Sequence, residues 1–282
     1  MAVTETPWNC PSCEAEVSSR YCPRCGEEAL RPRDLSLRSL FGKLFHAVTS
    51  IDGKLLRTAW NLVRSPGELT LAWMSGRRKP FIAPFQLFLI ANVLFFAVQS
   101  MTSTNIFGTT LDDHLHRQDW RELAGTMVDR HLAQEHTTLE AYAPVFDRAA
   151  VVNAKTLVVV MVLPFAGLLY AVLLGGRRPI VAHAVFALHL YAFLLLLFCI
   201  ELSITELVVL AGGPGLDAPV TDNLWSIFAV AACAAWILAA LRRVFGSSGA
   251  PWVARGLLLA LAAGALVPGY RFFVFLVTLY TT

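Results

Sequence analysis

Four cysteines near the start of the chain have types and spacing suited to one kind of chemistry. Cys10, Cys13, Cys22 and Cys25 form two Cys-x-x-Cys pairs, spaced Cys-x2-Cys-x8-Cys-x2-Cys. Each pair can close a tight turn that offers two sulfurs, and two such turns supply four sulfurs at tetrahedral positions, a set that suits zinc. Pro11 and Pro23 stiffen the turns, and Gly26 allows the positive φ that follows a knuckle. A redox pair would not need a second copy twelve residues on. With all four positions filled by protein the ion would be structural rather than catalytic. Segment 8–28 carries Arg20 and Arg24 against four glutamates, which is too little positive charge for a phosphate-binding surface. A zinc ribbon that docks on protein is the expectation, either on a partner or on the rest of this chain, and nucleic acid is not expected.

Other ionisable groups fall in strongly apolar surroundings, where charge is costly and usually paired. Lys155, Glu201 and Arg271 are such positions. A hairpin folded about the loop Gly-Gly-Arg-Arg-Pro near residue 178 would bring Lys155 opposite Glu201, so an ion pair is expected there, with Arg271 turning to Glu201 or Glu206. His183 and His189 lie six residues apart, about 240° of further helical rotation, and point to different faces. They are expected to bond neighbouring helices rather than share a metal. Asp112, Asp113, His114, His116 and Asp119 crowd a polar stretch, where a divalent-metal cluster competes with a solvated helix, and the helix is the preferred reading.

These groups are positioned by a chain built for a membrane. Hydrophobic residues make up 56% and charged residues 15% of the 282, with a mean hydropathy of +0.58, too little charge to cover a soluble domain of this size. Apolar stretches near 81–101, 155–174, 183–210, 223–241 and 257–281 reach or approach the roughly 20 residues that span a bilayer core. The first 30 residues are polar and do not resemble a cleavable signal. Residues 1–80 hold 12 of the 23 Lys and Arg, whereas segment 102–153 has eight acids against four arginines and 211–222 has no base. Basic residues mark cytoplasmic flanks. The expectation is a cytoplasmic N-terminus, five crossings, an extracytoplasmic C-terminus and reduced thiols, so that zinc is favoured over disulfides.

Between ribbon and bilayer, Leu37, Leu40, Phe41, Leu44, Phe45 and Val48 recur on one helical face. Leu55, Leu56, Ala59, Trp60 and Val63 suggest a second short helix. Ser65-Pro66-Gly67-Glu68 reads as an N-cap with a capping-box glutamate. These pieces would lie on the cytoplasmic leaflet against anionic lipid, or pack on the ends of the spans. Arg77, Arg78 and Lys79 would contact lipid head groups.

The order of these motifs resembles the bacterial membrane family called domain of unknown function 3667. The resemblance is carried by the Cys-x-x-Cys pairs, by IDGKLLRTAWNLVRSPGELTLAWMSGRRKPFIAPFQLFLI, by LPFAGLLYAVLLGGRRPIVAHAVFALHLYAF and by LAALRRVFG, and it spans nearly the whole chain outside 102–153. The chain departs from the family pattern at Ala83-Pro84, where Pro-Pro is common, and at Tyr191, where a third histidine is common; the second departure argues against a histidine metal site here. The family implies an architecture and no activity.

The resulting expectation is a mainly α protein: a zinc ribbon at 1–30, interfacial amphipathic helices at 31–80 and a five-span bundle at 81–282 with an extracytoplasmic loop at 102–153. No Walker loop, dinucleotide fingerprint, nucleophile elbow or zincin motif occurs. A bacterial inner-membrane adaptor or regulator is the leading functional reading. Its expected partners are membrane lipids and a protein docked on the ribbon, with self-association left open. The alternatives are a small transporter or channel using Lys155, Glu201 and Arg271, and a lipid-acting enzyme using His183 and His189.

Overall fold

The computed structural model describes residues 7–28, 53–102, 106–173, 178–215 and 219–282. The amphipathic stripe from Leu37 to Val48 and Arg177 lie outside the described residues.

Two short strands, β1 (Trp8–Asn9) and β2 (Glu16–Val17), pair antiparallel and carry the cysteine knob. Helices α1 (Lys54–Arg64) and α2 (Glu68–Met74) follow. The first membrane-length helix, α3, runs Pro84–Met101, with Ala83 as extended N-cap and Pro84 at the first helical position, where a missing N–H costs nothing. Helices α4 (Leu111–His116) and α5 (Arg121–Glu135) form a cap beyond its far end. The second span is α6 (Leu139–Leu157), a 3-10 turn (Val158–Met161) and α7 (Val162–Val172). Helices α8 (Ile180–Leu210), α9 (Pro219–Phe245) and α10 (Gly249–Thr281) complete the chain.

Five of these helical segments are long and apolar enough to cross a membrane: Pro84–Met101, Leu139–Val172, Ile180–Leu210, Asn223–Phe245 and Gly249–Thr281. The five-span expectation therefore holds, with two starts displaced: the fifth span begins at Gly249 rather than near 257, and the second moves further. The second span begins at Leu139, not near 155, because its first four turns carry Glu140, Asp147 and Arg148 and so escape a hydropathy reading. Their inner face (Tyr142, Phe146, Ala150) packs with Leu111, Val128 and Phe275 in a second core under the cap. The 3-10 turn has a cause in Pro164: its ring would clash with the carbonyl four residues back, and tightening the preceding turn relieves this.

Helix α8 is the axis of the main core. At about 1.5 Å per residue its 31 residues span about 46 Å, more than the roughly 30 Å of hydrocarbon. Between Val181 and Leu195 every residue but Ala184 is buried, against α3, α7, α9 and the short α2. Helix α2 is thus no surface belt, since Leu69, Thr70, Ala72 and Trp73 are all buried. Helix α1 presents three faces. Thr58 and Leu62 face inward, Leu56, Trp60 and Val63 are exposed, and Arg57 and Arg64 flank the exposed stripe. A helix with one apolar face on protein and another outward beside arginines suits a bundle edge at a membrane surface.

Ser65 is not the N-cap that the sequence suggests. It caps the end of α1 through its N–H to Asn61, and Gly67, at φ 83°, starts α2. The left-handed turn at Gly67 lets the chain reverse directly against α9, with the Trp236 indole donating to the Leu62 carbonyl (2.8 Å) and Arg243 to the Pro66 carbonyl (2.8 Å).

Candidate functional site

The cysteine knob is built from two copies of one turn. In each, the residue four places after the first cysteine donates its N–H back to that cysteine's carbonyl: Glu14 to Cys10 (2.8 Å) and Gly26 to Cys22 (2.7 Å). Both returning residues have positive φ, 59° at Glu14 and 72° at Gly26. The need for glycine was readable at Gly26; at Glu14 the same conformation is taken by a residue that gives no such signal. The first cysteine of each turn donates to the residue five places on, Cys10 to Ala15 (2.9 Å) and Cys22 to Glu27 (2.7 Å).

This brings the four sulfurs together. Cys10 Sγ lies 3.4 Å from Cys25 Sγ, Cys13 Sγ lies 3.5 Å from Cys22 Sγ, and all four fall within 4.8 Å of one another. A tetrahedral ion with sulfur at about 2.3 Å needs sulfur separations of about 3.8 Å, and these distances bracket that value. Backbone amides support the sulfurs: Ala15 on Cys13, Glu27 on Cys25, and Cys25 with Arg24 on Cys22. Burial raises the Cys22 thiol, but hydrogen bonds from the Cys25 and Arg24 amides and from the Cys13 and Cys25 side chains together draw it down to about 7. Burial pushes Cys25 up to about 12. Sulfurs this close resist four negative charges until a cation sits among them. The geometry and donors therefore fit a metal ion held by Cys10, Cys13, Cys22 and Cys25.

The remaining polar groups take separate places. Lys155 and Glu201 do not form the expected ion pair. Lys155 is exposed, its Nζ 6.0 Å from the centre of the Phe96 ring, while Glu201 is buried and its Oε1 has no hydrogen-bond partner among the described residues. The hairpin estimate failed because the 3-10 turn resets the helical phase between residue 155 and the loop. Arg271 donates from Nε to the Ile106 carbonyl (2.8 Å) and so ties α10 to the segment entering the cap. His189 Nδ1 pairs with Thr70 Oγ1 (2.9 Å) across α8 and α2, and His183 packs between Tyr170 and Phe245 with Nδ1 3.3 Å from the Pro179 carbonyl. The two histidines do not converge. Tyr191 sits against Phe165 with its hydroxyl unpartnered among the described residues. The three basic residues before the first span have protein partners: Arg77 pairs with Glu68, the Arg78 guanidinium lies 4.5 Å over the Trp73 ring, and the Lys79 backbone contacts the knob.

The acidic and histidine-rich stretch divides. His116 pairs with Asp112 at the surface (2.9 Å), but His114 turns into the cap. There its Nδ1 accepts the Trp120 indole N–H (3.1 Å), and the ring lies 4.7 Å from Phe275. Among the described residues only the four cysteines form a metal-capable group. Burial pushes the His114 pKa down to about 4, with Asp113 opposing and Arg271 reinforcing the shift. An unfolded histidine takes its proton near 6.5. Stability of the cap is therefore full above about pH 6.5 and is lost as pH falls toward 4, where the opened form binds the extra proton. Hydrogen exchange of the α4 and α5 amides should show an opening constant rising by up to about tenfold per pH unit in that window, with the dependence flattened in His114→Asn. Opening that ignores pH in the native chain would refute this.

The fold and site define the class: a helical membrane protein of five spans carrying an N-terminal four-cysteine knob. Residues 52–96 match the model of a family described as "Protein of unknown function (DUF3667)", which supports the resemblance read from the sequence. The matched stretch runs from just before α1 through α2 into the first span and includes Gly67, Gly76 and Pro84. Comparisons with curated proteins and with solved structures returned no match.

Proposed function

We propose that this protein is a non-enzymatic adaptor or regulator of a bacterial inner membrane, whose knob holds one structural zinc ion in the cytoplasm and presents a rigid surface to a protein partner. The observation that carries this reading is the pairing of a closed four-sulfur cluster with an exposed aromatic beside it. Tyr21 is 51% exposed on the knob, with the Arg20 guanidinium 5.3 Å from its ring and held there by Glu28 (2.9 Å). Tyrosine and arginine are the residue types that most often anchor protein interfaces. A closed ligand set leaves no open position for chemistry at the metal, and the histidines that an enzyme would use are spent on packing.

A membrane-impermeant crosslinker tests both the partner and the orientation. Applied to inverted vesicles it should capture a defined protein on the knob, and applied to right-side-out cells it should capture none. Tyr21→Ala should cut capture at least about tenfold, the effect of losing one anchor, without changing metal content. Capture from the outer side, or capture indifferent to Tyr21, would overturn the proposal.

A further inference from the structure

One carboxylate links the metal knob to the membrane bundle. Glu27 is 3% exposed, and its Oε2 accepts three hydrogen bonds from two separate segments. Ser12 Oγ, inside the first knuckle, donates at 2.5 Å. The backbone N–H groups of Arg78 and Lys79, in the turn between α2 and α3, donate at 3.3 and 3.0 Å. The Glu27 carbonyl accepts from Cys22 N–H (2.7 Å), so its backbone is fixed by the second knuckle. The Lys79 ammonium also lies close over Gly26, 3.4 Å from where a Cβ would stand. A buried carboxylate is tolerated only with donors in place. Its donors come from one knuckle and from the bundle, and its backbone is held by the other knuckle, so its position requires both knuckles to be folded.

The bundle side is also a built structure. The turn closes α2 through Gly76 (φ 85°) and Arg77 N–H to the Ala72 carbonyl (2.8 Å). It joins α2, whose Thr70 meets His189 of the central helix, to the first span. What holds Arg78 and Lys79 therefore holds the junction between α2 and α3.

We propose that Glu27 is a metal-dependent latch: with the four cysteines loaded, the knob is docked on the 78–79 turn, and loss of the ion releases it and loosens the junction between α2 and the first span. The latch depends on the zinc reading, because the knuckles that place Ser12 and Glu27 are held in shape by the ion. Among the described residues of the knob, Cys10, Val17 and Cys22 are the only fully buried apolar ones, so little else holds the knuckles. Release exposes a carboxylate and two backbone donors.

Hydrogen exchange on the full-length protein in nanodiscs, read beside metal content, tests this. In the native protein with about one zinc per chain, peptides covering 75–82 should be protected. A chelator should raise exchange at least about tenfold both in 8–28 and in 75–82. Glu27→Ala with zinc retained should raise exchange in 75–82 while Cys10 to Cys25 stay protected. Ser12→Ala, which removes one donor and leaves the fold intact, should give a smaller increase in the same peptide. Chelation that unfolds 8–28 but leaves 75–82 unchanged would overturn the latch and leave the zinc reading standing. Protein that purifies folded without metal would overturn the zinc reading itself, and elemental analysis reports that separately.

Discussion

Cys22→Ser should abolish metal binding by the purified full-length protein and unfold residues 8–28, while the five-span bundle stays folded. A serine hydroxyl stays protonated at neutral pH and cannot replace a thiolate as a zinc ligand. The knob has almost nothing else to hold it: two strands of two residues each, and Cys10, Val17 and Cys22 as its fully buried apolar residues. Domains below about 40 residues need disulfides, metals or partners to fold, and structural zinc supplies on the order of 10–16 kcal/mol in small zinc-finger peptides. Cys22 is the most telling of the four, since its sulfur takes two backbone amides and its own N–H fixes Glu27. Elemental analysis should fall from about one zinc per chain to below about 0.1, and limited proteolysis should cut within 8–28. Iron in the native protein, or zinc retained by the serine variant, would sink the assignment.

The parts of this molecule that were legible in the sequence are those whose cause is local. The four cysteines come together as their spacing suggests, with all sulfurs within 4.8 Å of one another in a group that could hold one ion, and runs of twenty apolar residues declare themselves whatever surrounds them. The cap was legible as helix and no further, because nothing in LDDHLH distinguishes His114, which goes inward to Trp120, from His116, which stays outside. Helix α6 starts sixteen residues before Lys155, because an amphipathic helix packed on a cap looks like a loop to hydropathy. Lys155 then misses Glu201 because Pro164 resets the phase of the second span through a 3-10 turn. On α1 the expected stripe keeps Leu56, Trp60 and Val63 outward, and the helix adds an inner face at Thr58 and Leu62 that lay outside that stripe, because it lies at an edge with two apolar surroundings. Nothing in the sequence announced Glu27. A lone glutamate after a knuckle looks like a surface charge until the turn it binds, some fifty residues later, is in place.

Gly67 is the position where the smallest substitution should cost the most. It lies in the stretch matched by the family model and holds φ at 83°, a conformation that costs other residues about 1–2 kcal/mol. A Cβ there would also stand 3.0 Å from Ala240 Cα, 3.1 Å from the Ala240 carbonyl oxygen and 3.0 Å from Val244 Cγ2. Backbone atoms of a packed helix cannot step aside as a side-chain tip can, so α9 must move or the turn must open. Overpacking of this kind costs about 1–3 kcal/mol more. Gly67→Ala should therefore destabilise the protein by about 2–5 kcal/mol. The cost extends to the packing of α1 and α2, because the same approach lets Trp236 reach the Leu62 carbonyl and Arg243 the Pro66 carbonyl, the bonds that hold them on the bundle. Thermal unfolding in detergent should show the loss as a clear drop in Tm. Gly264→Ala is the matched control, since it lies within α10 with φ in the ordinary range and nothing within 4 Å of its added Cβ. Alanine is the better helix former by about 1 kcal/mol, so that variant should melt no lower than the native chain. Equal melting of the two variants would mean that the Gly67 turn is not what binds α2 to α9.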